Sequence, residues 1–392
     1  STGTGNFNTV SGTTTSNLEF TDNGTANLNR GLTGDVTTTS DGKGILNLVG
    51  SNNQTVSGQV GDSTNKLAEV NAGANGATST FTGDVFATNL DVEGTGTVNL
   101  DGNFTGTAIR YNADGTVVVA DTKNIDSAIT TATNDTWTLT LSGSSSVTGQ
   151  VGASGASLKA INAGANSSTS TFNSDVYVTN LNITGSGTVI LNSDLTGNVV
   201  TTGNQGILTT TGATQTITGN VGSLSSSVNT LNIGSDTVLG NYSTTTINGN
   251  VFATSTVLNN NNNDNGDLTT NSSELILASG KNITSTITTA DANMGILTLA
   301  GGTQTVTGTV GGVGASLEEV SSGATGATST FVNDVYANTV ENTGTGTTTF
   351  QDNVVATNVN VNAGTSTFQD NLTATTTTIS TGTGNFNTVS GT

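Results

Sequence analysis

An apolar residue returns to an equivalent position every 18 or 19 residues along much of this chain. Phe331 precedes Phe350 by 19 residues, and Phe368 and Phe386 follow at intervals of 18. Between these returns lie two or three short runs in which polar and apolar residues alternate, which is the period of a β-strand. Runs this short do not form a stable sheet alone, so each must pair with its own copy in the next repeat.

This spacing predicts an all-β fold, a parallel β-solenoid or β-helix with about 18 to 20 residues per coil. Right-handed winding is expected from the general bias of parallel crossover connections. Gly and Asn are frequent and suit tight corners, whereas Pro, which would remove a ladder hydrogen bond, is absent. The apolar returns are predicted to stack on one interior wall. The predicted stack comprises Phe7, Phe81, Phe172, Phe331, Phe350, Phe368 and Phe386.

Longer repeats enclose these coils. The thirteen residues STGTGNFNTVSGT occupy positions 1–13 and recur at 380–392, an offset of 379 residues. We therefore expect one continuous solenoid over residues 1–392, made of one 379-residue period and a 13-residue overlap and continued covalently or end to end in a longer filament. Four related blocks are expected inside it. Their approximate bounds are 32–124, 125–194, 195–282 and 283–379.

Asn stacked on Asn in successive coils can form a ladder of side-chain amides. The candidates all precede a Leu or Val directly. They are Asn89, Asn180 and Asn358.

A second motif places an aromatic residue after an aliphatic one. Alternation counted from Phe81 puts Val85 inside, whereas alternation counted from Leu90 puts Phe86 inside, and the corner between them is not defined by the sequence. Facing outward, these aromatics form a lateral-contact or glycan-stacking row. The general preference for buried aromatics favours a place in the core. The aromatic members are Phe86, Tyr177, Phe252 and Tyr336.

The stretch TLAGGTQTVTGTVG, followed by SLEEVSSGATGATSTFVNDVYANTVENTGTGTTTFQDNV, resembles the repetitive passenger regions of rickettsial-type autotransporter surface proteins, the surface cell antigens. The resemblance covers most of the chain as a Thr-, Asn- and Gly-rich texture. It implies an extracellular parallel β-helix passenger that is displayed on the bacterial surface by an outer-membrane barrel and is often adhesive. The resemblance does not include a barrel segment, so the anchor is not carried over, and the family does not require the 379-residue duplication.

Composition disfavours several kinds of chemistry and partner. The chain has no Cys and no His, so disulfides, thiolate nucleophiles and the commonest general base are missing. Seven basic residues stand singly against a net charge of −20, which disfavours nucleic acid and anionic lipid as partners. No apolar run approaches the roughly 20 residues that span a bilayer. We expect no cofactor and no membrane insertion of this segment.

Acidic residues offer two weaker candidates. Asp264 and Asp267 lie in NNNNNDNGDL, which resembles a calcium loop but fails the EF-hand register, so calcium binding there is expected to be weak. The neighbours Glu318 and Glu319 are expected to point to opposite faces of a strand and to belong to solvated surface. Because a glycosidase needs two facing carboxylates, the chain is not expected to be an enzyme.

These observations predict a structural protein of an extracellular bacterial filament, stalk or sheath, a secreted appendage whose coils associate end to end and laterally. The alternative is a cell-surface adhesin that binds host or neighbouring-cell surfaces. An adhesin is expected to gather irregular loops and exposed aromatics on one face, whereas a fibre spreads them evenly or uses them for self-contact. A catalytic β-helix and a functional amyloid are both disfavoured, the latter because the blocks vary in sequence.

Overall fold

The structure is a computed structural model. All regular secondary structure in its described residues is β-strand. The described part contains no helix with the length and apolar character needed to cross a membrane. Internal contacts divide the chain into two compact units, Ser1–Val189 and Ile190–Thr392. The described residues are 3–7, 16–235, 242–259 and 272–390.

The strands of the first unit are short and follow one another closely. They are β1 (Thr4–Phe7), β2 (Leu18–Phe20), β3 (Thr25–Leu28), β4 (Val36–Thr38), β5 (Lys43–Leu48), β6 (Gln54–Val56), β7 (Leu67–Ala72), β8 (Thr78–Phe81), β9 (Val85–Val92), β10 (Thr97–Leu100), β11 (Phe104–Tyr111), β12 (Thr116–Val119), β13 (Ile125–Thr131), β14 (Thr136–Leu141), β15 (Ser145–Val147), β16 (Leu158–Ala163), β17 (Thr169–Phe172) and β18 (Val176–Ile183).

The boundary between the units falls within β19 (Thr188–Leu191). The strands of the second unit are β20 (Leu195–Thr201), β21 (Gln205–Thr210), β22 (Thr214–Ile217), β23 (Val228–Ile233), β24 (Thr244–Ile247), β25 (Val251–Leu258), β26 (Glu274–Leu277), β27 (Ile283–Thr289), β28 (Ile296–Leu299), β29 (Thr303–Thr307), β30 (Leu317–Ser322), β31 (Thr328–Phe331), β32 (Val335–Asn342), β33 (Thr347–Phe350), β34 (Val354–Val361), β35 (Thr365–Ile379) and β36 (Thr383–Ser390).

These strands pair in parallel with the strands of the coils before and after them. In the first unit β8 pairs with β10 and β10 with β12, so that Phe81, Leu100 and Val119 lie in register. In the second unit β31 pairs with β33 and β33 with β35 in the same way. The prediction of an all-β parallel solenoid is confirmed, and the right-handed winding stays a prediction.

Coil length varies more widely than the sequence pattern predicts. The coil that brings Phe368 into register with Phe350 is short, whereas the coil that brings Ile247 into register with Ile217 is much longer. Pairing fixes only the strand positions of a coil, so connections between strands accept additional residues at little cost. The interval between apolar returns therefore identifies the fold without fixing the length of each coil.

Side chains alternate between the buried interior and the outside of each coil, and long strands such as β9, β18 and β32 reverse this alternation in their middle. In β9, Val85 is buried near the start and Leu90 is buried after the reversal. Directly before Leu90, the two consecutive residues Thr88 and Asn89 are both partly exposed. The corner that the sequence left undefined therefore lies within the strand at Thr88 and Asn89.

Asparagine side chains link successive coils at a second corner. The backbone N–H of Asn220 donates to Oδ1 of Asn198 at 3.0 Å, and the N–H of Asn250 donates to Oδ1 of Asn220 at 2.8 Å. Asn282 and Thr305 continue the series with bonds of 2.8 and 2.7 Å. Each of these residues directly precedes a Val or Ile. The side chains therefore occupy backbone N–H groups where the coil turns and the strand ladder is interrupted.

Candidate functional surface

Four phenylalanines form a continuous stack in the second unit. The ring centroids of Phe331 and Phe350 are 5.0 Å apart, those of Phe350 and Phe368 are 4.9 Å apart, and those of Phe368 and Phe386 are 5.4 Å apart. The planes of neighbouring rings differ by 9 to 11°. The stack forms because each phenylalanine is the registered partner of the next and coils repeat at about 4.8 Å.

The other members of the predicted stack have aliphatic partners. Phe81 lies between Val56 and Leu100, and Phe172 is registered with Val147. Both phenylalanines are buried. The prediction of one shared interior wall is wrong for these two residues. Register leads from Phe172 through Val147, Ile125 and Phe104 to Val85, which lies in the same coil as Phe81 on a different wall.

The repeated tetrapeptide TGNF forms a parallel strand in both of its copies. Thr4–Phe7 pairs with Thr25–Leu28, and Thr383–Phe386 pairs with Thr365–Phe368. Phe7 and Phe386 are both partly exposed. Both copies are therefore strands with a similarly buried phenylalanine, the first paired with the coil after it and the second with the coil before it.

The amide ladder predicted at Asn89 and Asn358 is wrong, and the preceding coil offers Asn180 no amide partner. Asn89 is registered with Ala108, and Asn180 is registered with Ala160. All three asparagines stand at the corner within a long strand, where the alternation of side chains reverses. Glu69 and Ala108 flank Asn89, and Thr339 and Thr376 flank Asn358, so no second amide is in register with either of these two asparagines.

An asparagine ladder does exist at a different position in the first unit. Asn27 Nδ2 donates to Asn6 Oδ1 at 2.7 Å, Asn47 Nδ2 donates to Asn27 Oδ1 at 2.7 Å, and Asn71 Nδ2 donates to Asn47 Oδ1 at 2.8 Å. These residues face outward from consecutive coils and are mutually in register. The sequence separations between successive members are unequal, which is why a search at a fixed spacing misses them.

Charged residues replace the amides where this ladder ends. Asn71 is registered with Asp91, and Asp91 is registered with Arg110. Arg110 donates from Nε and from one terminal nitrogen to the two Asp91 oxygens, both at 2.5 Å, and the same terminal nitrogen lies 3.2 Å from Glu69 Oε2. The hydrogen bond to Asp91 is the main cause that raises the pKa of Arg110, and the charges of Asp91 and Glu69 act in the same direction. One guanidinium thus neutralises two carboxylates from earlier coils.

The motif aromatics face outward rather than into the core. Phe86, Tyr177, Phe252 and Tyr336 are all partly exposed, whereas the aliphatic residue before each is buried. The interpretation of these aromatics as core is therefore wrong. The aliphatic residue alone fills the interior, because the reversal of alternation comes two residues after the aromatic.

Each outward aromatic is hydrogen-bonded to the coil before it at a Val-Gly pair. The N–H groups of Phe86, Tyr177, Phe252 and Tyr336 donate to the carbonyls of Val60, Val151, Val221 and Val310 at 2.7 to 2.8 Å. The glycine after each valine lies under the backbone of the aromatic residue. The Val-Gly pair and the aliphatic-aromatic motif are each visible in the sequence. The hydrogen bond that joins them from one coil to the next is not visible when each motif is considered alone.

Tight turns follow three of these Val-Gly pairs. Antiparallel bridges close them between Ala153 and Ala156, between Ser223 and Ser226, and between Gly312 and Ala315. The tips in the second unit carry apolar side chains. Leu224 is 82% exposed and Val313 is 90% exposed. Leu224 and Val313 are the most exposed large apolar side chains among the described residues.

The carboxylate pair on β30 lies on the outside of the coil. Glu318 and Glu319 are both partly exposed between buried Leu317 and Val320, so the prediction that they point to opposite faces is wrong. The strand turns a corner between the inward residues Leu317 and Val320, and the two glutamates lie on the outside of that corner. Burial is the main cause that raises the pKa of Glu319, and the neighbouring carboxylates, Glu341 first, add to it.

No family model, curated protein or solved structure matches this chain. The calcium candidates Asp264 and Asp267 lie outside the described residues. Among the residues that are described, no group of three or more His, Cys, Asp or Glu side chains could hold a metal ion. Functional proposals for this chain rest on its repeats and on its outer surface.

Proposed function

We propose that the chain is a non-enzymatic structural protein of an extracellular bacterial filament, stalk or sheath. The coils associate end to end and laterally, without nucleic acid, cofactor or insertion into a membrane. The observation that carries this proposal is repetition in register. In the phenylalanine stack and the asparagine ladder each side chain is held by its equivalent in the next coil.

Repetition of this kind favours assembly because a surface that pairs with its own copy is complementary to a further copy. Each parallel strand presents a row of N–H and C=O groups to the next coil, and such rows are templates for additional strands. The two TGNF copies support the same idea, since the repeated segment forms a parallel strand at both positions, 379 residues apart. The outward side chains are mainly Thr, Asn and Ser, which are suited to a long, hydrated rod.

Labelling on intact cells tests this function. An antibody against the chain, applied to the unpermeabilised bacterium that encodes it, is expected to decorate extracellular fibres in electron micrographs. A strain that lacks the gene should lose both the label and the fibres. Label confined to the cytoplasm, or fibres unchanged in the deletion strain, would refute the proposal.

The exposed apolar tips favour a second candidate, a cell-surface adhesin. Leu224 and Val313 place aliphatic side chains at the ends of tight turns. Such groups gain more from binding a partner than the polar tip at Ser154 does. In an adhesin the solenoid serves to project these turns away from the cell.

A pair of substitutions separates the two candidates. An adhesin in which the tips bind is expected to lose attachment to host or neighbouring cells in the double variant Leu224→Ser and Val313→Ser. Fibre formation along the coil axis should not change in this variant. Ser154→Ala, at an equivalent tip of the first unit, is the matched control. Attachment that survives the double variant argues against adhesion through these tips.

A further inference from the structure

Three copies of one strand have a glutamate at the same outward position in two cases and an alanine in the other. The copies are β7, β16 and β30, and the position is Glu69 in the first, Ala160 in the second and Glu319 in the third. Two residues further along, each strand is registered with an outward residue of the following coil. These residues are Asp91, Asn182 and Glu341.

The first and second copies are electrostatically complete. In the first, the guanidinium of Arg110 contacts both Asp91 and Glu69. In the second there is no carboxylate to neutralise, and Asn182 Nδ2 donates to Asn162 Oδ1 at 2.9 Å. The chain therefore satisfies this outward position either with a cation on two carboxylates or with an amide pair.

The third copy has the carboxylates without the cation, and one oxygen of Glu341 accepts a hydrogen bond from Asn362 Nδ2. Glu341 is registered with Asn360, which takes the place that Arg110 has beside Asp91. The charged groups that act on Glu319 are the carboxylates of Glu341, Glu318 and Glu274, and they raise its pKa together with burial. In the sequence, Lys281 is the single basic residue between positions 190 and 392. It follows β26 in a turn and is not among the groups that act on Glu319.

We propose that Glu319 and Glu341 form a binding site for an arginine side chain of a partner protein, in the place that Arg110 occupies in the first unit. The contacts of Arg110 show how a guanidinium fits two carboxylates from successive coils. A planar fork of donors suits such a pair better than the point charge of lysine. Calcium is a poorer fit, since it takes six to eight oxygen ligands. The inference stands whether or not the chain forms filaments.

An NMR titration of the full chain tests the site with two peptides, acetyl-Gly-Arg-Gly-amide and the same peptide with uncharged citrulline in place of arginine. The arginine peptide is expected to shift resonances of β30, β32 and β34 saturably, and the citrulline peptide is not. Glu319→Gln with Glu341→Gln should abolish the shifts. Asn360→Arg should abolish them as well, because it supplies the guanidinium from within the chain. Binding that persists in Asn360→Arg would overturn the proposal.

Two further titrations identify the occupant and reproduce the site elsewhere. Calcium chloride alone is expected to leave the same resonances unshifted, and saturable calcium binding that Asn360→Arg removes would replace arginine with a metal. Arg110→Asn should create an equivalent site at Glu69 and Asp91 and raise the number of bound arginine peptides from one to two. Circular dichroism checks that this variant is folded. A folded variant that still binds one peptide would contradict the assignment.

Discussion

Phe368 is stacked between two aromatic rings, whose centroids lie 4.9 and 5.4 Å from its own. Replacing it with Ala removes both ring contacts and leaves a cavity, and we expect a loss of about 3 to 5 kcal/mol in local stability. Solenoid coils interact mainly with their neighbours, so the damage should stay within the adjacent coils. Hydrogen exchange of the backbone amides in β33, β35 and β36 measures the effect.

Thr367→Ala is the matched control for this substitution. Thr367 is the outward neighbour of Phe368 and is partly exposed, so its replacement should change stability by no more than about 0.5 kcal/mol. Equal exchange rates in the two variants would show that the ring stack does not stabilise the coils.

Gln304 is a fully buried polar residue with a complete set of partners. Its Oε1 accepts from the Gly301 N–H at 2.8 Å, and its Nε2 donates to the carbonyls of Leu277 and Ala278 at 3.1 and 3.0 Å. Gln304→Met keeps the volume and leaves these groups unpaired, which costs about 1 to 3 kcal/mol for each buried group. Faster exchange of the Gly301 amide is the expected signature. Thr303→Val, at an exposed neighbour, should leave that exchange unchanged.

The sequence predicted buried residues better than outward contacts. The phenylalanines at Phe350 and Phe368 could be found because inward alternation and a constant interval coincide. The amide ladder through Asn27 and Asn47 could not, because its partners are separated by unequal intervals. An outward contact depends on the length of every intervening loop, and that length becomes known only when the register of each coil is known.

At the scale of elements, Gly311, which begins the turn after Val310, lies against Tyr336 of the next coil. Gly311 has φ of +70°, and a Cβ added there would lie 3.2 Å from the Tyr336 Cβ and closer to the Tyr336 carbonyl oxygen. Gly311→Ala therefore has both a strained backbone, at about 1 to 2 kcal/mol, and a steric clash, at roughly 1 to 3 kcal/mol more. A lower unfolding midpoint in urea is the expected result.

Gly314 provides a control in the same turn. Its φ is +77°, and a Cβ there would meet nothing within 4 Å, so Gly314→Ala should show the backbone strain alone. The difference between the two variants measures the contact between the turn and the coil that follows. Equal midpoints would mean that this contact contributes nothing to the docking of the turn.

The acidic side of β30 predicts a pH dependence. The pKa of Glu319 is raised in the folded chain above its ordinary value, mainly by burial, so the folded state binds this proton more tightly than the unfolded state does. The resulting stability is present below about pH 4.3 and is lost as the pH rises through the folded pKa. Glu319→Gln should therefore stabilise the second unit more at pH 7 than at pH 4, measured as urea midpoints at both values.

Glu69→Gln is the matched variant in the first unit. There the carboxylate lies 3.2 Å from the Arg110 guanidinium, so its removal should not stabilise the protein at pH 7. Because both groups are partly exposed, this effect is small. A stabilisation of equal size at the two sites would show that Arg110 does not distinguish them.

For the whole molecule, the fold class could be predicted because the solenoid needs only short alternating runs at a repeated interval. The sites on its surface could not be predicted in the same way. Phe86 and Tyr336 face outward because the corner lies within the strand after them, and no residue type marks that corner in the sequence. The Arg110 contacts likewise connect residues 19 and 41 positions apart on two different coils.

Native fibres of this chain are expected to show two characteristic spacings along their axis. If the chain is a segment of a filament with one continuous solenoid, its strands cross the fibre axis and its coils repeat along it at about 4.8 Å. Aligned native fibres should give a meridional reflection at that spacing. With roughly 20 residues per coil, one 379-residue unit adds roughly 90 Å along the axis. Electron micrographs should show a long repeat of that order.

The two spacings test different parts of the argument. The short one depends on parallel coils alone, which the in-register pairs already require. The long one depends on the repetition of the 379-residue unit, whose first and last segments carry the two TGNF strands. Fibres with the short spacing and no long repeat would keep the solenoid and remove the tandem filament. Fibres whose strands run along the axis would remove both.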